Sequence, residues 1–454
     1  MLQKIKFIMS CLERESEIEL SYIDGISLSD FPHKKKLKRF GFIGNIFQFL
    51  LFNLKYFIDS KSFKSIKNKP DIIFFSSTHN QYSSLITIYK ELCSNHNLAC
   101  NYYSVNTKVK NEVINRVKLN SYFGPILVSL LRFKRVVKSI NSSSASWNFY
   151  SNYCKSYTYL WMYNDLFENI DTRPNFVLMS NDHNVENTSL RLVCEVYGIK
   201  TMYVQHASIS SLLPSLKFDY VFLDGQKALD VYLKCKTFAR SKHKPKQAFL
   251  TGQQKNIYPL TKKGSFIGIA INELDDLKRV KDCISNLNSS NFKVLLRPHP
   301  EHYNKVYSQL KDLSVVWSNP QSMPLSDFFS MCKALICCES SIHIEAALAG
   351  LPTYYYDFLI DSVYYDYYGF INSGVSVETT NIIEEFEKDK LNEEKSRNEA
   401  IKNYSASYLT TYQNKEKIIV AKLINDIVNC KNVRSNTVSV INDIEVHSDF
   451  ECDF

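Results

Sequence analysis

From residue 71 onward the chain alternates short apolar runs with stretches of helical spacing, and after residue 264 that alternation begins again. DIIFFSS (71–77) is apolar, β-branched and aromatic throughout, and QYSSLITIYKEL (81–92) has apolar residues at helical intervals. NFVLMSND (175–182), a helix through NTSLRLVCEVYG, IKTMYVQHA (199–207), YVFLDG (220–225) and AFLTG (248–252) continue the series. GSFIGIAIN (264–272), the helical ELDDLKRVKDCISNL, KVLLRPHP (293–300), SVVWS (314–318), ALICCESS (334–341) and PTYYYDF (352–358) form a second set. Strands without polar alternation, separated by helices, predict parallel sheets covered on both faces. Two successive Rossmann-like α/β domains are therefore expected, at 1–258 and 259–430, with a seam near 253–264. The length of 454 residues suits that division. Residues 406–429 read as a final helix. The last stretch, 431–454, is polar and mildly acidic and is expected to be a disordered or peripheral tail.

Glycine is scarce, with twelve residues, and none of them completes GxGxxG or GxxxxGK[ST]. A glycine-cradled dinucleotide site and a Walker-type NTPase are not expected, so a phosphorylated ligand would have to be held differently. The twelve cysteines form no CxxC pair, and Cys337 and Cys338 are adjacent. Reduced thiols are the simplest reading, and neither a zinc site nor any other metal is expected. Asp275 and Asp276 resemble a metal pair only superficially and read as solvated charge within a helix.

The net charge of +9 is unevenly placed. Residues 31–140 hold nineteen Lys and Arg against Asp59, Asp71, Glu91 and Glu112, a local surplus of +15. That asymmetry points to one basic surface and not to a nucleic-acid partner. HKKKLKRFGFIGNIFQFLLFNLKYFI (33–58) is too interrupted to span a bilayer and fits a helix lying in the membrane interface. Its alternative is a buried helix behind an exposed polybasic turn. YFGPILVSLLRFKRVVKSI (122–140) repeats the theme, as an interfacial or acceptor-facing element or as a core helix with a charged end. WNFYSNYCKSYTYLWMYNDLFENI (147–170) reads as a long buried helix. The opening MLQKIKFIMSCLERESEIEL turns acidic too soon for a signal peptide, so a cytoplasmic protein peripheral to the inner face of the cell membrane is expected.

In open parallel sheets, ligands bind beyond the carboxyl ends of the strands, so polar residues directly after apolar runs are the candidates. In ESSIHIEAALAGLP (339–352), Ser340 and Ser341 would sit at a helix amino end, where N–H groups and hydroxyls receive an anion; the plain alternative is an N-cap. Glu345, one turn on, could meet a ribose or simply be solvated. In RPHP (297–300), Arg297 and His299 could hold phosphate oxygens, or form a local salt bridge and a structural histidine. His206 of QHA could act as general base on an acceptor hydroxyl, with Asp182 orienting it or serving as the base itself; helix capping is the alternative for Asp182.

Taken together, the QH motif, IGIAIN, LLRPHP and ESSIHIEAALAGLPTYYYDF resemble the GT-B glycosyltransferases of bacterial surface polysaccharide synthesis. Two groups are similar over roughly residues 170–375. Bacterial sialyltransferases and polysialyltransferases carry HP and SS motifs around a CMP-sugar, and teichoic-acid glycerophosphotransferases carry RPHP and a later serine pair around CDP-glycerol. The resemblance implies two Rossmann-like domains facing each other across a cleft, with a nucleotide-activated sugar as substrate, no cofactor and no metal. It implies donor contacts from Arg297, His299, Ser340, Ser341 and Glu345, and a base at His206; Glu339 is expected beside them as a further donor contact, and Asp182 as the other candidate base. The acceptor would be a glycan or lipid-linked chain of a capsule or lipopolysaccharide at the cytoplasmic membrane surface. The sequence departs from the polyol-phosphate pattern at Ala207, where that group has glycine, and at Cys338-Glu339, where an aspartate-tyrosine pair is common. Other readings are polyol-phosphate transfer from CDP-glycerol or CDP-ribitol, a nucleotide-sugar 2-epimerase, and a non-catalytic membrane-associated scaffold.

Overall fold

The computed structural model describes residues 1–15, 22–23, 26–27, 42–59, 69–106, 108–109, 111–142, 150–168, 173–209, 216–235, 243–253, 257, 259–262, 264–388, 394–433 and 435–450. The chain forms two compact units: Met1–Leu223, Ala228–Thr251 and Lys417–Phe454 make the first, and Asp224–Lys227 with Gly252–Glu416 the second. Besides a short antiparallel ribbon of β1 (Tyr22–Ile23) and β2 (Ile26–Ser27), each unit is built on its own sheet.

The first sheet contains β3 (Ile72–Phe75), β4 (Cys100–Ser104), β5 (Ile114–Arg116), β6 (Phe176–Met179), β7 (Lys200–Val204), β8 (Tyr220–Leu223) and β9 (Gln247–Leu250), all parallel. IIFF and FVLM are buried along their whole length, as strands covered on both faces must be. Helix Leu2–Arg14 closes onto this unit through Glu15, buried against Arg191 and Lys217. Burial pushes the Glu15 carboxyl up, but those two cations outweigh it and hold the group below its ordinary range.

The second sheet runs β12-β11-β10-β13-β14-β15, all parallel, from β10 (Phe266–Ile271), β11 (Val294–Pro298), β12 (Val316–Trp317), β13 (Cys332–Cys337), β14 (Thr353–Tyr355) and β15 (Val377–Glu378). Ile267, Ile269, Leu296 and Ile336 pack on one face against Val280, Ile284 and Leu287 of helix Leu277–Ser289. Leu295, Leu335 and Cys337 pack on the other against Phe328, Ala346 and Ala349. Both units thus have the expected α/β architecture with parallel sheets.

The chain then returns to the first unit. Helix Glu416–Val428 leads to β16 (Thr437–Ile441) and β17 (Ile444–Ser448), an antiparallel hairpin whose second strand pairs in parallel with β9. The first sheet is therefore nine-stranded, β16-β17-β9-β8-β7-β6-β3-β4-β5. This corrects two expectations. Residues 435–450 are not disordered, because Ile444 and Val446 are buried and His447 stacks on Phe249 at 5.0 Å, although the exposed β16 lies at the periphery as the alternative had it; residues 451–454 lie outside the described residues. The seam falls at 251–252, and the last helix belongs to the first unit and not to 259–430. That helix also starts ten residues later than expected, since Leu409 and Asn414 take positive φ (59° and 68°) that no helix accommodates. Asp275 and Asp276 precede a helix and do not lie within one. Asp276 caps Leu277–Ser289 by accepting from Lys278 N at 2.8 Å, and Asp275 is only 5% exposed, not solvated.

Candidate functional site

In the second sheet the strands wind outward from β10 to β12, then reverse and wind the other way from β13 to β15. The reversal lies between β10 and β13, and a doubly wound sheet opens a crevice beyond the carboxyl ends at such a switch point. Three strand ends are tied together there. His299 N donates to Ile271 O at 2.8 Å, joining the RPHP turn to the end of β10. Asn272 Nδ2 donates to Glu339 O at 2.9 Å, joining β10 to the ESS turn after β13. Asn272 is fixed in turn: its Oδ1 accepts from Leu274 N and its own N donates to Asp275 Oδ2, each at 2.7 Å. The fold thus brings RPHP and ESS, forty residues apart in sequence, to one crevice through Asn272. Sequence reasoning missed this residue, although it directly follows the apolar run FIGIAI.

The six expected donor residues are placed differently from one another. His299 is exposed, with Nδ1 accepting from Glu301 N at 3.4 Å. Ser340 and Ser341 are half-buried at the amino end of helix Ile342–Leu348, with Ser340 Oγ accepting from Ile342 N at 3.4 Å. Glu345 is half-buried on that helix, within electrostatic range of Arg297. Arg297 itself is a brace: Nη1 donates to Ser318 Oγ at 2.8 Å and Met323 O at 3.0 Å, and the guanidinium lies 5.3 Å from the centre of the Phe328 ring. Glu339 turns into the protein. Its carboxylate accepts from Tyr355 Oη and Tyr367 N at 3.1 Å and from Tyr368 N at 2.9 Å, anchoring the following loop. Burial pushes that carboxyl up to about 7 against these three donors. Asp275 is likewise raised to about 7 by burial, aided by the charges of Asp357 and Glu339. His343, between the serines and Glu345, is a core residue; its Nε2 lies 2.9 Å from Cys338 O, and burial lowers it to about 4.

One group of described residues has spacing suited to a cation. His299, Glu301 and His302 offer ligand atoms within 4.8 Å of one another, and His302 Nε2 lies 3.4 Å from Glu273 Oε2.

The first sheet reverses in the same way, between β3 and β6. Ser76, Ser77 and Thr78 leave β3, and Asn181, Asp182 and His183 leave β6. Thr78 caps helix His79–Ser94, and Gln81 Oε1 accepts from Ser77 N at 2.8 Å. Asn181 Oδ1 accepts from His183 N and Asn184 N at 3.1 and 2.7 Å, which fixes the turn carrying His183. Asp182 is buried, with Oδ1 2.9 Å from His183 Nδ1 and Oδ2 accepting from Tyr232 Oη at 2.5 Å. Burial raises its carboxyl, but His183 and Tyr232 together hold it below the usual carboxylate range. A buried carboxylate so held is a poor base and a good orienter. The histidine it orients is His183, where the sequence reading paired it with His206. His206 is half-buried after β7, beside Gln205, whose Nε2 donates to Ala207 O at 3.0 Å. His183 stood in plain sight in the NDH run; the tie of Asp182 to Tyr232, fifty residues on, did not.

No family model matches the sequence, and no curated protein matches it. Among solved structures, a UDP-N-acetylglucosamine 2-epimerase is similar at TM-score 0.48 and 12% identity over 82% of this chain and 100% of that one. The wall teichoic acid polymerase TagF is similar at TM-score 0.42 and 12% identity, over 85% of this chain and 97% of that one. The glycosyltransferase of kitacinnamycin is similar at TM-score 0.44 and 9% identity, over 80% of this chain and 100% of that one.

Proposed function

We propose that this chain is a GT-B type glycosyltransferase that moves a sugar from a CMP- or CDP-linked donor onto a bacterial surface glycan, without a metal ion. The observation that carries this reading is the joining of His299, Asn272 and the Ser340–Ser341 turn at the switch point of the second sheet. A histidine and two hydroxyls follow strand ends that are tied together there with no glycine loop, side chains of a kind suited to phosphate oxygens. In this reading His299 and the Ser340–Ser341 turn bind the nucleotide and the leaving phosphate, and His183 takes the acceptor's proton. With Nδ1–H donating to Asp182, His183 keeps Nε2 as its basic nitrogen. The acceptor hydroxyl loses its proton to that nitrogen, its oxygen bonds the anomeric carbon, and the carbon–oxygen bond to phosphate breaks. The departing nucleotide carries the negative charge that the donors of the second unit stabilise.

The test has two arms. Nucleotide binding is read as a rise in melting temperature with CMP, CDP and UDP, and Ser340→Ala/Ser341→Ala and His299→Ala are each expected to weaken it about tenfold. Turnover is read by product mass with a panel of activated donors and lipid-linked acceptors. Addition of a sugar supports the reading. Addition of a polyol phosphodiester, an epimerised free donor, or no nucleotide binding at all would overturn it.

A further inference from the structure

Two helices of the first unit carry their polarity inside out. Helix Phe42–Asp59 buries Asn45 and Asn53 completely and presents Ile43, Phe47, Leu51, Leu54 and Ile58 to solvent, each between 40% and 82% exposed. The exposed residues recur at intervals of three and four, so they form one stripe along the helix. Asn53 is held on the inner side, where its Oδ1 accepts from Thr158 Oγ1 at 2.8 Å. Helix Phe123–Ser142 repeats the inversion: Ser129 and Arg132 are buried, while Phe123, Leu127, Leu130 and Leu131 are 36% to 70% exposed. Both helices pack against helix Tyr150–Glu168, and Phe57 and Tyr122 join them with ring centres 6.2 Å apart. Single exposed leucines are ordinary, whereas two adjoining apolar stripes over buried amides mark a surface that works against something other than water.

We propose that these two stripes form a docking face for an anionic lipid bilayer, with both helices lying in the plane of the interface. Charge selects this occupant. Lys55, Lys134, Arg135 and Lys138 are exposed on the same two helices, and Asp59 is the one acid in either. A second copy of this chain would set like charge against like, whereas anionic headgroups complement a basic rim around an apolar centre. No helix among the described residues is long and apolar enough to cross a membrane, which fits helices that lie on the surface. The inference concerns the first unit alone and does not depend on the transfer reading.

Cosedimentation of the full chain with vesicles tests it, comparing phosphatidylcholine with an equal mixture of phosphatidylcholine and phosphatidylglycerol. Wild type is expected to bind the anionic vesicles at least about tenfold more tightly than the neutral ones, and Phe47→Glu/Leu130→Glu to lose about tenfold or more. Lys134→Ala/Lys138→Ala is expected to lose several-fold and to flatten the salt dependence. Melting temperature stays unchanged in these variants if the face alone is affected. Should the glutamates disturb the fold, Phe47→Ser/Leu130→Ser carries the same expectation. The proposal is overturned if wild type stays in the supernatant with anionic vesicles or if folded variants bind as wild type does. It is equally overturned if light scattering shows a dimer that the Phe47 and Leu130 changes dissolve.

Discussion

Asp275→Asn should stabilise the second unit, and do so more strongly as pH rises. Asp275 is buried, with Oδ2 bonded to Asn272 N, and burial together with the charges of Asp357 and Glu339 raises its carboxyl from 3.8 to about 7. Below about pH 4 the group is neutral in both folded and unfolded chains, so it leaves the balance unchanged. Between pH 4 and 7 the unfolded chain ionises while the folded one keeps its proton. Stability then falls by up to about 1.4 kcal/mol per pH unit. Above pH 7 the full difference is reached, on the order of 4 kcal/mol from these values. Asparagine keeps the acceptor for Asn272 N, places an amide donor beside two carboxylates, and has nothing to ionise. Its advantage over wild type should therefore widen by about 2.6 kcal/mol between pH 5 and pH 8. At roughly 2–4 °C per kcal/mol for a unit of this size, calorimetry should show the gap in melting temperature growing by about 5–10 °C. A variant that melts below wild type by the same margin at both pH values would refute the assignment of Asp275 as a buried, reluctantly ionised acid.

Other consequences are open to direct measurement. His183→Ala should lower kcat by about 10²–10⁴-fold with donor KM unchanged, and Tyr232→Phe, which leaves Asp182 one hydrogen bond short, should lower it less and shift the pH profile. Gly252→Ala should destabilise the protein by about 1–3 kcal/mol, read by chemical unfolding, because φ is +91° and the new Cβ would stand 2.1 Å from Ser407 Oγ. Transfer should survive excess EDTA; its loss, restored by a divalent ion in the wild type but not in His302→Ala, would reassign His299, Glu301 and His302 to metal binding.

What could be read from the sequence follows the physics of each segment. Runs such as IIFF, FVLM and VLL are buried along their whole length, so their composition places them in a covered parallel sheet. Strands that carry polar residues were missed. Cys100–Ser104 holds Asn101, Ile114–Arg116 is only half-buried, and Thr437–Ile441 leaves its first four residues exposed. The RPHP and ESS turns were legible because polar residues directly after buried strands must lie at a sheet's ligand-binding edge. Side-chain direction was not. Arg297 and Glu339 look like ligand-facing charges in sequence, yet Ser318, Met323, Tyr367 and Tyr368 claim them through contacts that only the folded chain makes. Asp182 shows the same limit, since its partner could be named only once Tyr232 and His183 were seen around it.

The route of the chain has a consequence for how the protein is made. The second unit is inserted into the first: the chain leaves at Gly252 and returns only at Lys417. The strand that covers β9 is therefore synthesised nearly two hundred residues after it. At about 5–20 residues per second, the edge of β9 waits roughly ten to forty seconds for its neighbour. During that interval the nascent first unit presents an unpaired parallel edge ending in AFL, the kind of template on which chains associate wrongly. The second unit meanwhile has its whole sheet available, so it can finish folding before the unit that encloses it in sequence. Expression yield should accordingly respond more to changes in the hairpin Thr437–Ser448 than the stability of the finished protein does.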